Sequence, residues 1–149
     1  MPIGELCSRD VIFVTPRDTV PEAARLMRQH HVGDLVVVED QAGRRVPVGM
    51  LTDRDLVVEV LASGVGADTV TVGDIMSPEP VTARETDGVY ETIQRMRARG
   101  VRRIPVINDR GGLEGIIAVD DLLEMLAEEI MNLATLVGRE QAHERAARR

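Results

Sequence analysis

Two runs in the chain are apolar without alternation, Leu35-Val36-Val37-Val38 and Ile104-Pro105-Val106-Ile107. Such runs suit strands covered on both faces. Ahead of each, apolar residues recur at helical spacing: Ala23, Ala24 and Met27 before the first, Val89, Ile93 and Met96 before the second. Asp18 or Thr19 is suited to cap the first helix, Pro21 falls in its first turn, and Gly33 and Gly100 fall at or just beyond the helix ends. After each apolar run comes a polar turn (39–45 and 108–112). A second strand follows, Val48 to Leu51 or Leu113 to Ala118, and the turn composition favours a hairpin. A helix then begins near Asp53 and near Asp120. A short extended segment precedes each first helix and ends in a turn (Thr15-Pro16-Arg17-Asp18; Thr82-Ala83-Arg84-Glu85). Each unit therefore reads β-α-β-β-α.

The two units are copies. Val14-Thr15 matches Val81-Thr82, Val32 to Val38 matches Val101 to Ile107, and Gly49-Met50-Leu51 matches Gly115-Ile116-Ile117, all roughly 68 residues apart. The expected class is α/β, of the α+β type, with two layers in each unit. The first repeat is assigned to residues 5–62, a linker to 63–73, the second repeat to 74–127 and a helical extension with a tail to 128–149. In the extension, Leu122, Leu123, Leu126, Ile130, Leu133, Ala134 and Val137 recur every three or four residues, with Met125 and Met131 beside them. This stripe suits packing against a partner or folding back on its own chain. The segment after Gly138 alternates Arg with Glu and reads as a solvated or frayed end.

Composition narrows the function. The chain of 149 residues has no Trp, one Tyr (Tyr90) and one Phe (Phe13), so the core is aliphatic and bases cannot be gripped by ring stacking. A formal net charge of −7 disfavours binding to a phosphate backbone, and the tail arginines are offset by Glu140 and Glu144, so nucleic acid is not an expected partner. Cys7 alone gives no disulfide framework and no multi-cysteine zinc site, and it reads as a small apolar residue. His30-His31 lacks a third ligand and reads as a polar helix end, so no metal is expected. Gly64-Val65-Gly66 lacks the rest of a dinucleotide fingerprint. No nucleophile–base arrangement stands out, so no catalytic residue is assigned. No signal peptide or membrane-length apolar run is present, which makes a cytoplasmic protein the expectation.

With Asp74-Ile75-Met76-Ser77-Pro78 leading into the second repeat, the Val-rich strands, and Gly49-Met50-Leu51-Thr52-Asp53-Arg54-Asp55, residues 5 to 127 resemble a tandem pair of CBS (cystathionine-β-synthase-like) domains, a free-standing Bateman module. The resemblance implies two repeats packed about a pseudo-two-fold axis and pairing of modules into homodimers. It also implies an adenine-containing ligand between the repeats: AMP, ADP or ATP, with NAD or S-adenosylmethionine as further members of the class. Thr52 stands where a strand meets a helix, placed to meet a phosphate, and Asp55 is placed to accept hydrogen bonds from ribose hydroxyls. The same two residues also form a helix-capping pair.

Comparing the repeats makes the expected sites unequal. Thr52-Asp53-Arg54-Asp55 aligns with Ala118-Val119-Asp120-Asp121, and Gly33-Asp34 aligns with Arg102-Arg103. In similar modules the pre-strand residues of one repeat serve the ligand held by the Asp of the other. One expected site joins Thr52 and Asp55 to Arg102 and Arg103, with Met50 and the stretch from Pro78 to Val81 against adenine. The alternative for Arg102 and Arg103 is a solvated pair. The weaker site joins Asp121 and Ala118 to Gly33 and Asp34, with Ile116 and Val14 beside them. There, the lost hydroxyl and the extra carboxylate each cost a phosphate on the order of 1 kcal/mol or more.

The sequence thus points to a regulatory module, not an enzyme, that senses an adenine nucleotide and passes the signal to a regulated protein. Two alternatives stand beside it, a structural dimerisation module with vestigial sites and a regulator linked to transcription or nucleic acid.

Overall fold

The computed structural model describes residues 1–148. The first repeat runs β1 (Phe13–Val14), α1 (Val20–His30), β2 (Asp34–Gln41), β3 (Arg44–Thr52) and α2 (Asp53–Asp55), after which Leu56–Leu61 winds on as a π-helix. Between the repeats lie α3 (Val72–Ile75) and β4 (Ser77–Pro78). The second repeat runs β5 (Ala83–Arg84), α4 (Val89–Arg99), β6 (Arg103–Ile107), β7 (Leu113–Ala118) and α5 (Val119–Ala147). The β-α-β-β-α order is present twice in a mixed α/β fold with two sheets. In each sheet the short first strand runs parallel to the apolar second strand, which pairs antiparallel with the third. Each hairpin carries an irregularity at the same place, between Val37 and Val38 and between Val106 and Ile107.

The apolar strands fill two cores. Leu35, Val37 and Leu51 pack with Ala23 and Met27 of α1, and Ile104, Val106 and Ile117 pack with Met96 of α4. Each core is completed by a segment distant in sequence. Val72, at the start of α3, joins the first core, whereas Ile3 and Cys7 join the second. The sheets follow suit. β4 pairs with β3, Met50 opposite Ser77, while Ser8 and Ile116 exchange backbone hydrogen bonds at 2.9 Å in both directions. The segment leading into each repeat thus closes the other repeat. Residues 63–73 are accordingly more than a linker, because Val72 is wholly buried in the first core.

This crossing accounts for the glycine that begins each Gly-apolar-apolar motif. A Cβ on Gly49 would lie 2.5 Å from Met76 Sδ and 2.9 Å from the Ser77 carbonyl oxygen. On Gly115 it would lie 2.6 Å from Cys7 Sγ and 2.7 Å from the Ser8 carbonyl oxygen. Only glycine lets the crossing segment come so close. Burial pushes the Cys7 thiol above its ordinary pKa, against the pull of nearby Arg9, so Cys7 behaves as the small apolar residue expected.

The helix ends add two details to the sequence reading. Thr19 caps α1 in a capping box with Glu22, and the left-handed residue closing that helix is His31 (φ 53°), with Gly33 just beyond the helix end. Gly100 does close α4 (φ 63°). The C-terminal extension neither folds back nor frays at Gly138. α5 continues to Ala147 and is exposed from Leu126 onward. Among the described residues no helix is long and apolar enough to cross a membrane.

Candidate functional site

At the end of β3 the backbone of Thr52 is still extended, and the helix begins at Asp53. Thr52 Oγ1 accepts a hydrogen bond from the Asp55 backbone N–H at 3.1 Å, and Asp55 Oδ2 accepts one from the Thr52 N–H at 2.9 Å. The capping pair is therefore made in full, with Asp55 Oδ1 left outside it. In the second repeat Asp121 Oδ2 accepts from the Ala118 N–H at 2.8 Å, but Ala118 has no hydroxyl to return the bond. The residue just before the apolar strand is tied to the same helix start in both repeats. The Asp53 N–H donates to the Gly33 carbonyl and the Val119 N–H donates to the Arg102 carbonyl, each at 2.9 Å.

These tethers bring the two pre-strand corners to one cavity of about 760 Å³. Met50, Thr52, Pro78, Val81, Arg102 and Arg103 all line it, and Gly33 and Asp34 line it with them. Gly33 and Asp34 thus share this wall with Arg102 and Arg103, whereas Asp121 does not line it. Asp34 Oδ2 lies 3.1 Å from Arg103 Nε, an ion pair that ties the two repeats across the cavity. Burial raises the pKa of the Asp34 carboxyl above its ordinary value, Arg103 pulls against this, and the neighbouring Asp53 adds to it. Arg102 is far more open and reaches Asp120 only at 3.9 Å. Asp55 stands behind Thr52 and is not on the cavity wall.

The remaining residues of the weaker site lie apart. Val14 is buried in the first core, so its side chain is closed to a ligand. Ile116 is held opposite Pro105 and bonded to Ser8, and Asp121 serves the start of α5.

Three charged residues on the cavity wall were not singled out from sequence: Asp53, Arg54 and Glu79. Asp53 and Arg54 sit inside the Thr52–Asp55 motif, so their positions were legible there. Glu79 lies between Pro78 and Pro80 in the left-handed region (φ 52°), rare for a residue other than glycine. No local sequence rule gives that conformation.

The cavity lining combines two chemistries. Met50, Pro78, Pro80, Val81 and Val101 contribute apolar side chains, while Arg54, Arg102 and Arg103 contribute guanidinium groups and Thr52 a hydroxyl. Asp34, Asp53 and Glu79 equal those cations in number.

The family model for the CBS domain matches residues 3–62 and 72–128. The chain is 34% identical over 143 residues to the CBS domain-containing protein YhcV of Bacillus subtilis, covering 95% of this chain and 98% of that protein. It is 38% identical over 123 residues to the uncharacterized protein MK0525 of Methanopyrus kandleri, covering 83% of this chain but only 61% of the length of that relative. Among solved structures, the CBS domain protein PAE2072 of Pyrobaculum aerophilum, complexed with AMP, superposes with a TM-score of 0.72 at 25% identity, covering 85% of this chain and 99% of that one. Both the matched sequence and the matched architecture cover two repeats, and the chain belongs to the CBS domain family as a tandem pair.

Proposed function

We propose that this chain is a regulatory module that binds an adenine nucleotide in the cavity between its repeats and acts as a homodimer on a regulated protein. The observation that carries this reading is the cavity itself, whose lining joins apolar side chains to Arg54, Arg102, Arg103 and Thr52. The base would lie against Met50, Pro78 and Val81, held by backbone groups and apolar contact, and the ribose would reach Asp55 Oδ1. The phosphates would meet Thr52 and the guanidinium groups, drawing Arg103 away from Asp34. AMP bound to the related Pyrobaculum aerophilum protein supports the ligand class. Ligand binding would then shift the two repeats by the difference in its affinity for their two arrangements.

A second reading, a structural module with vestigial sites, is favoured by one observation. Thr52 and Asp55 satisfy each other, and Arg103 is already paired. Thermal unfolding with AMP, ADP, ATP, NAD and S-adenosylmethionine separates the two, since a ligand bound only by the folded form must raise Tm. At least one nucleotide is expected to raise it, and Arg103→Ala and Asp55→Ala are each expected to weaken the calorimetric affinity at least tenfold. No Tm response to any of the five ligands would favour the structural module.

A further inference from the structure

From the last turns of the second repeat outward, α5 carries an apolar row that its own chain leaves largely uncovered. Leu123, Leu126, Ile130, Leu133 and Val137 alternate three and four residues apart over about 21 Å of helix, and each is between 44% and 66% exposed. This is the spacing of a two-helix seam, with Leu, Ile and Val at one set of positions and Leu at the other. A helix standing off the body without packing is marginal in water, so the row calls for a partner surface. The row also runs into an apolar groove of about 310 Å³ between α4 and α5, whose lining includes Ile93, Met96, Leu123 and Leu126.

We infer that the occupant is the same row of a second copy of this chain, laid antiparallel. This inference rests on the homodimer proposed above, not on its ligand. Pairing about a two-fold axis lets one row cover another and closes the assembly at two chains. Charge sets the direction. Residues 119–137 carry Asp120, Asp121, Glu124, Glu128 and Glu129 and no Lys or Arg, whereas 138–148 carry Arg139, Arg145 and Arg148 against Glu140 and Glu144. A parallel pair would set the two acidic halves side by side. The antiparallel pair sets Ile130 against the partner's Leu133 and Leu126 against the partner's Val137. Glu124 then falls level with the partner's Arg139, and the partner's Val137 comes to the edge of the groove.

The test uses the full chain. In light scattering the wild type is expected at twice the chain mass. Ile130→Asp combined with Leu133→Asp should give monomers, whereas Thr135→Asp, on the far side of the helix, should leave dimers. All three proteins should keep the same far-UV circular dichroism at high concentration, which checks that the body folds. Direction is read by oxidation of Leu126→Cys and Val137→Cys proteins, with wild type controlling for Cys7. A disulfide should form in the mixture of the two and not in either protein alone. A dimer that survives the double Asp variant, or that forms disulfides in each cysteine variant alone or in neither setting, overturns the inference while leaving the homodimer standing. A monomeric wild type overturns both, and neither outcome bears on nucleotide binding.

Discussion

Arg103 and Asp34 meet across the cavity at 3.1 Å, with the carboxylate mostly buried and the guanidinium about two-fifths exposed. An ion pair that open to water contributes little net stability. On the proposed reading its main effect would fall on the ligand, because a phosphate would have to compete with Asp34 for the same cation. Asp34→Asn is therefore expected to raise the affinity for AMP or ATP several-fold in calorimetry, with little loss of Tm. Unchanged or weaker binding would mean that Arg103 does not serve the phosphate. Asp87 shows the opposite titration. Burial alone would raise its pKa, but the Arg84 backbone N–H and the Arg95 guanidinium at 2.8 Å outweigh burial and hold the carboxyl below its ordinary value. For a carboxyl lowered in the folded state, the stabilisation is present above the unfolded value near 3.9 and is lost as pH falls through the folded one. Asp87→Asn should accordingly cost about 1 kcal/mol in urea unfolding at pH 7, with the gap to wild type closing in strongly acidic buffer. A gap independent of pH would remove the ionic contribution.

At the level of elements, each repeat is finished by a segment that precedes the other. Ile3 is wholly buried among Ala83, Met96, Ile104 and Ile117, and Val72 among Val14, Met27, Leu35 and Leu51. Ile3→Ala should therefore cost about 2–5 kcal/mol and lower hydrogen-exchange protection first in β6 and β7, not in the nearer-numbered β2 and β3. Val72→Ala should act first on β2 and β3. Protection lost in the repeat nearest in sequence would contradict the crossed packing. The strands and first helices were legible because an unbroken Val-rich run, a 3–4 apolar spacing and a capping Thr each act within a dozen residues. The crossing was not legible, although Ile3-Gly4 and Val72-Gly73 stand in corresponding places. Parallel sequence positions give no sign of which sheet edge a segment will join. The residue that closes α1 was not legible either, since His31 takes a conformation usually left to glycine.

For the whole molecule, the two units exchange lead-in segments and are ion-paired across a cavity that both line, so a ligand bound there would act on both. A nucleotide at a hundred times its Kd would stabilise the folded chain by about 2.7 kcal/mol, enough for a clear shift in Tm. The duplication makes the cavity pseudo-symmetric in backbone, as the matched tethers at Gly33 and Arg102 show. Its chemistry is not symmetric. Thr52 faces Ala118 in the alignment, and Asp34 faces Arg103.

The sequence by itself determined the twofold repeat, the order of elements in each unit, the aliphatic cores and the residues around which a site could form. Those properties follow from local periodicity, turn chemistry and direct comparison of the repeats. Tertiary structure alone decided the rest. Gly33 and Asp34 were expected beside Asp121, but the packing of the repeats sets them against Arg103, so two expected sites contribute to one cavity. Glu79 reaches that cavity through a left-handed backbone between two prolines. The stripe on α5 was plain in sequence, yet only the fold showed that its own chain leaves it uncovered. Which surfaces meet depends on how two sheets and their crossed segments fill space, and that is a property of the packed whole, not of any window along the chain.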